Sequence, residues 1–274
     1  MSHPLFDLSG RVALVTGAGG GFGGAISKGF AEAGADLLIT DINAETLRAT
    51  EEKVRPIGHR VAPAVGDITD PQSIRAIFER LDQEYGRIDV LVTCAGPAWT
   101  TKPEDLSLDD LERTLKSLGI GKFYCCQEAG RRMLAQGRGS IINIGSIAGV
   151  TALGRGHIAY GMGMAAIVEM TRELSTEWSG RGVRANVILP AQVPNDNNKL
   201  NERMRVDPIL RATFLRGIPM GRLGRSEDIV GPAIFLASDA SSWVTGIVLP
   251  MDGGNLAKNA GGSHPGMPGE TANL

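Results

Sequence analysis

The stretch from Val15 to Asp41, VTGAGGGFGGAISKGFAEAGADLLITD, restricts the fold more than any other part of the chain. An apolar run enters a glycine cluster, a helical segment closes at Gly34, and a second apolar run ends in an acid. Gly19, Gly21 and Gly24 fit G-x-G-x-x-G, while Thr16, Gly17, Gly21 and Gly23 fit T-G-x-x-x-G-x-G. Glycines allow a tight turn and bring backbone N–H groups close to an anion at a helix N-terminus, where the helix dipole also favours negative charge. Either glycine pattern alone is weak, because a glycine-rich loop can serve simply to turn the chain. The strand before, the helix after and an acid near the expected separation of about 20 residues together point to a nucleotide site. Asp41 can accept hydrogen bonds from both adenosine ribose hydroxyls and would repel a 2′-phosphate. No Arg or Lys lies in the turn at Gly20 or directly after Asp41, which favours NAD(H) over NADP(H).

The rest of the chain repeats this alternation. RVALVTG (11–17), DLLITD (36–41), RVAPAV (60–65), IDVLVT (88–93), SIINIGS (140–146), VRANVIL (183–189) and GIVLPM (246–251) read as short strands separated by amphipathic helices. Strands joined by helical crossovers predict a mostly parallel sheet covered on both faces. No repeat or Pro/Gly/Ser linker divides the chain, so one domain over 1–255 is expected, followed by a Gly/Pro-rich tail at 256–274. The segment 191–218 interrupts the alternation and reads as a lid over a site.

A net charge of -2 gives no electrostatic case for nucleic acid or an anionic membrane. No apolar run approaches the length of a membrane span, and MSHPLFDLSGR lacks a basic and then hydrophobic signal region, so a cytoplasmic protein acting on a small molecule is expected. Cys94, Cys125 and Cys126 are too few for a disulfide framework and read as reduced packing residues. The four His and three Cys show no metal-ligand spacing.

Further motifs are GDITD (66–70), CAG (94–96), INIGSIAG (142–149) and a tyrosine at Tyr160. With the glycine turn and the long block PMGRLGRSEDIVGPAIFLASDASSWVTGIVLPMDGG (219–254), they make the chain resemble a short-chain dehydrogenase/reductase over about residues 5–256. The resemblance implies an α/β fold: a single-domain, Rossmann-type, doubly wound seven-stranded parallel sheet with helices on both faces. It implies an NAD-dependent oxidoreductase in which Ser146 hydrogen-bonds the substrate oxygen and Tyr160 exchanges a proton with it. The cofactor set carried over is Gly17, Gly19, Gly21, Phe22 and Gly23 in the turn, Asp41 on the ribose, and Asp67 and Ile68 beside adenine. Cys94, Ala95, Gly96, Tyr160, Pro190 and Val193 complete it. Such enzymes are commonly homotetramers that pair two long helices, here about 107–134 and 158–179, and Ala165 and Ala166 suit close helix packing.

The sequence departs from the family at telling positions. The lysine expected four residues after the tyrosine, which holds the nicotinamide ribose and lowers the phenol pKa, is Met164; the asparagine that supports a proton-relaying water is Leu118. Cys94 stands where Asn is usual, Gly145 where a first serine is common, and LPAQVPN (189–195) replaces a Pro-Gly stretch ending in Thr. A phenol of ordinary pKa, about 10, is a poor base at pH 7 without a nearby cation but can still donate a proton. Trp99, His157, Gln192 and Asn195 are expected to border the substrate pocket. Three functions stay open: a carbonyl/alcohol oxidoreductase with an altered proton relay, an imine or iminium reductase using the same hydride geometry, and a nucleotide-binding homologue that is redox-inactive or non-redox.

Overall fold

The computed structural model describes residues 3–94, 96, 100–194 and 199–258. The expectations at Ala95, Trp99, Asn195 and 259–274 lie outside the described residues.

Seven strands form one sheet in the order β3-β2-β1-β4-β5-β6-β7, with every neighbouring pair parallel. They are β1 (Val12–Thr16), β2 (Asp36–Asp41), β3 (Val61–Val65), β4 (Val90–Thr93), β5 (Gly139–Ile144), β6 (Val183–Pro190) and β7 (Val248–Met251). Each matches an apolar run of the sequence to within a few residues. Alternation across β1 builds the two cores. Ala13 and Val15 pack with Ile26 and Phe30 of α1 (Gly21–Glu32) and with Ala233 and Leu236 of α9 (Val230–Ala237). Val12 and Leu14 pack on the other face with Ile74 and Phe78 of α3 (Pro71–Tyr85) and with Cys126 and Met133 of α5 (Gly121–Gln136). Each such fully buried side chain contributes about 1.5–3 kcal/mol relative to exposure.

Local chemistry sets the helix ends. Asn43 and Asp70 cap α2 (Ala44–Val54) and α3 by accepting hydrogen bonds from the first backbone N–H groups. Gly86 ends α3 in the left-handed region at φ 67. The order reverses at β1, which lies between β2 and β4, and the carboxyl ends of strands beside such a reversal form the crevice where open α/β sheets bind ligands.

The long helix expected at 107–134 is interrupted. It runs as α4 (Leu108–Leu115), a π-helical turn at Lys116–Ile120, and α5. Gly121 passes so close to the β3–α3 loop that a Cβ there would lie 2.3 Å from the Ile68 carbonyl oxygen. The wider turn just before that contact leaves Ser117 and Leu118 buried. Its partner, α6 (Ile158–Trp178), is continuous. Segment 191–218 contains α7 (Lys199–Val206) and α8 (Pro208–Arg216). Among the described residues, no helix is long and apolar enough to cross a membrane.

Candidate active site

At the carboxyl end of β1 the glycine turn is held by geometry that side chains would destroy. Gly17 has φ 66, and a Cβ on Gly23 would lie 2.2 Å from the Gly17 carbonyl oxygen. A Cβ on Gly19 would lie 2.2 Å from Thr46 Oγ1. The Asp41 carboxylate accepts the Gly19 N–H at 3.0 Å and the Asn43 N–H at 3.0 Å, so it joins the turn to the end of β2. Helices α2, α3, α4 and α8 each begin with an Asn, Asp or Ser side chain on their first N–H groups; α1 begins after Gly20, which has none to offer. An uncapped helix start behind a glycine turn, with a carboxylate at the next strand end, fits the pyrophosphate and ribose of a dinucleotide. Phe22 packs half-buried against the core on this side, and Gly21 opens the helix. Asp67 is tied into its own loop, its carboxylate accepting the Thr69 N–H at 2.8 Å, and buried Ile68 backs onto α5.

The candidate catalytic pair comes from the end of β5 and the first turn of α6. Ser146 follows β5, and its Oγ accepts the Ala148 N–H at 3.2 Å, which fixes it at the head of a short turn. Tyr160, in the first turn of α6, neighbours the Ser146 hydroxyl. Burial pushes the Tyr160 phenol above its ordinary pKa; the nearby Ser146 hydroxyl opposes this and the neighbouring Cys94 adds to it. His157 stands edge-on to the Tyr160 ring, centroids 6.0 Å apart, and its Nδ1 is 2.9 Å from the Gly154 carbonyl oxygen. A carbonyl can only accept, so Nδ1 donates.

Hydrocarbon closes the far side of Tyr160. Leu118 and Met164 are both buried, in a cluster with Ile147, Ala148, Ile167 and Val168 against which Tyr160 packs. Leu118 fills the space between Gly96 and Gly163: a Cβ on either glycine would lie within 3.0 Å of it, at 2.2 Å and 2.9 Å. Cys94 is half-buried, and burial raises its pKa to about 11.

Lys122 was absent from the sequence-derived set. It is among the largest fully buried side chains, and its Nζ donates to the Ile144 carbonyl oxygen at 2.7 Å. The signal was present: Lys122 heads the stripe Cys125, Cys126, Ala129 and Met133, all of which are buried. A lysine in line with a core stripe at i+3, i+4, i+7 and i+11 faces inward.

The sequence-predicted pocket residues divide. Gln192 and Val193 line a cavity of about 410 Å³ at the ends of β6 and β7, with Met220, Arg222, Asp228 and Met251. This cavity is not lined by Ser146 or Tyr160. Gln192 Oε1 is buried with no partner among the described residues. The Val193 N–H donates to the Ala191 carbonyl at 3.0 Å, closing a tight turn after Pro190. Among the described residues, no group of three His, Cys, Asp or Glu could hold a metal ion.

A parallel α/β sheet with a glycine turn at the reversal and a serine–tyrosine pair on β5 and α6 defines a nucleotide-binding oxidoreductase scaffold. A family model described as enoyl-(acyl carrier protein) reductase matches residues 17–255. The chain is 39% identical to the D-threitol dehydrogenase of Mycolicibacterium smegmatis, over 92% of this chain and 95% of that one. It is 35% identical to the NAD-dependent glycerol dehydrogenase of Listeria innocua, over 92% and 96%. The structure of a gluconate 5-dehydrogenase from Burkholderia cenocepacia in complex with NADP and tartrate superposes with a TM-score of 0.86 at 32% identity, covering 93% and 99%. The chain belongs to the short-chain dehydrogenase/reductase family of oxidoreductases.

Proposed function

We propose that the protein is an NAD(H)-dependent oxidoreductase that passes hydride between nicotinamide and a small alcohol or carbonyl substrate, with an altered proton path. The relatives named for threitol, glycerol and gluconate make a small polyhydroxylated compound the favoured substrate class. The observation that carries the reading is the neighbouring Ser146–Tyr160 pair at the carboxyl end of the sheet, together with the uncapped start of α1.

When bound, the nicotinamide supplies or accepts the hydride. Gly17, Gly19, Gly21 and Gly23 form the turn that would take the pyrophosphate, and Asp41, tied to that turn, would meet the adenosine ribose. Ser146 holds the substrate oxygen, and the Tyr160 hydroxyl donates its proton as that oxygen gains charge. Because burial raises its pKa, Tyr160 stays a neutral phenol at pH 7: it serves as an acid for reduction and is a poor base for oxidation. Met164 and Leu118 place hydrocarbon beside it and provide neither a cation nor a polar relay. Alcohol oxidation should therefore gain rate into the alkaline range. The imine-reductase and redox-inactive readings have no observation that favours them over this one.

The test pairs binding with turnover. NADH should bind at least about tenfold more tightly than NADPH, the scale of one unfavourable charge contact, and Asp41→Ala should narrow the gap. NADH consumption against a panel of keto-polyols and keto-acids should be lost in Tyr160→Phe by about 10²–10⁴-fold. Equal affinities for the two cofactors would overturn the NAD assignment, and full activity in Tyr160→Phe would move the chemistry elsewhere.

A further inference from the structure

Lys122 is a buried charged feature of the site that the mechanism above leaves unused. Isolated buried ammonium groups are unfavourable unless paired, and this one is held by a carbonyl rather than a carboxylate. Its position is informative. The ladder between β4 and β5 ends at Thr93 and Asn143, so Ile144 lies one residue past the last rung. The next N–H, that of Gly145, turns the other way to the Ile188 carbonyl on β6. The Ile144 carbonyl therefore points into the fork where β4 and β5 separate, and the Lys122 ammonium fills that fork two residues before Ser146. Among the described residues, that carbonyl is the acceptor found for its three N–H donors.

We propose that Lys122 is a positioning and specificity-determining residue of the nucleotide site: its ammonium, anchored on the Ile144 carbonyl in the β4–β5 fork, makes the nicotinamide end prefer the uncharged dihydronicotinamide to the cationic nicotinamide. This rests on reading the cleft as a dinucleotide site. A fixed positive charge under a partly desolvated crevice discriminates between ligands that differ by one positive charge at that end. NADH is held and NAD⁺ is repelled, which poises the enzyme as a reductase. That direction agrees with a neutral Tyr160. Lys122 places in the strand fork a buried positive charge near a site whose α6 side, among the described residues, is hydrocarbon.

The titratable groups facing Lys122 leave its charge readable. They are Cys125 and Cys126 on its own helix and Cys94 at the end of β4, while Asp41 acts on Cys94 and Cys94 in turn on Tyr160. Burial lowers the Lys122 pKa to about 8, whereas it raises Cys94 to about 11, Cys125 to about 12, and Cys126 further. Between pH 6.5 and 9.5 the group in this cluster that changes charge is Lys122.

The experiment is calorimetric binding of NADH, NAD⁺ and ADP-ribose to the whole protein across that pH range, for the unmodified chain, Lys122→Met and Lys122→Gln. In the unmodified chain, preference for NADH over NAD⁺ should fall by roughly tenfold as pH rises through about 8, the loss of a unit charge across such a site. In both variants the preference should already be reduced by a similar factor and be flat with pH, with ADP-ribose affinity unchanged. A pH-independent preference in the unmodified chain overturns the proposal even if neither variant folds. A preference unchanged in the variants also overturns it. Failure of ADP-ribose and NADH to bind at all would instead remove the dinucleotide reading on which it rests.

Discussion

At the scale of the residue, the buried Lys122 ammonium links stability to pH. Its folded pKa of about 8 lies below the ordinary lysine value of 10.5, so the unfolded chain binds more protons in the interval between them. Stability from this group therefore rises with pH from about 8 to 10.5 and is lost as pH falls through the folded value. The interval corresponds to roughly 3 kcal/mol at 1.36 kcal/mol per pKa unit. Cys94 and Cys125 act the other way, since burial raises each above 9.0, and their unfolded forms ionise first as pH climbs. The difference between Lys122→Met and the unmodified chain separates the two effects. Methionine removes the charge but leaves the Ile144 carbonyl without its donor, so the two contributions offset at neutral pH. The stability of Lys122→Met relative to the unmodified chain should drop by roughly 3 kcal/mol between pH 8 and 10.5, measured by urea denaturation at each pH. A difference that stays constant with pH would show that Lys122 is not held as a buried ammonium.

At the scale of the element, the α4–α5 and α6 pair decides what Tyr160 can do. Met164 is one turn after Tyr160 on the same face of α6, and Leu118 packs across from it out of the π-helical turn. A lysine at 164 would bring a cation beside the phenol and lower its pKa, and an asparagine at 118 would give that cation a polar neighbour. Met164→Lys with Leu118→Asn should raise alcohol oxidation by something within about 10²–10⁴-fold and move the alkaline limb of its pH profile toward neutral. Lysine alone should recover the larger part. Assays with NAD⁺ and a panel of secondary alcohols decide this, and no gain on any of them would mean that the pocket is shaped for other chemistry. The same elements show what can be read before folding. The strands were legible because those buried on both faces give unbroken apolar runs bounded by glycine and charge. Ser146, Tyr160 and Met164 were singled out through the resemblance to the family, which supplied their roles. The π-helical turn was not, because one extra residue inside a continuous helical pattern leaves the periodicity nearly intact and its cause is a contact with Ile68, distant in sequence. Lys122 was missed for a related reason. Its stripe marks an inward face, but the carbonyl that receives it exists only once β4 has ended one residue short of β5.

At the scale of the whole molecule, the apolar surface left uncovered has a pattern. On α6, Ile158, Met162, Ala165 and Ala166 are exposed at i, i+4, i+7 and i+8, one continuous stripe. Ile120 and Phe123, at the π-helical turn and the start of α5, are exposed beside it, and a Cβ on Gly119 would lie 3.9 Å from Ala166 Cβ. Small residues between larger apolar ones let a second helix pair approach closely. Among the described residues, a second exposed feature is Trp243, 97% exposed and five residues before the edge strand β7. An edge strand and an exposed tryptophan are surfaces that proteins usually protect. Two separate self-complementary faces on one chain generate a closed tetramer with two kinds of two-fold interface. Sedimentation velocity should therefore give a mass of four chains. Ala166→Arg puts a long charged side chain into the helix-pair face and leaves the β7 face intact, so it should yield a species of two chains. The Ser146–Tyr160 pair lies within a single chain, and NADH affinity should survive in that dimer to within about threefold, a change of well under 1 kcal/mol. A single-chain mass for the unmodified protein, or a tetramer that withstands Ala166→Arg, would show that the α6 stripe is covered by something other than its own copy.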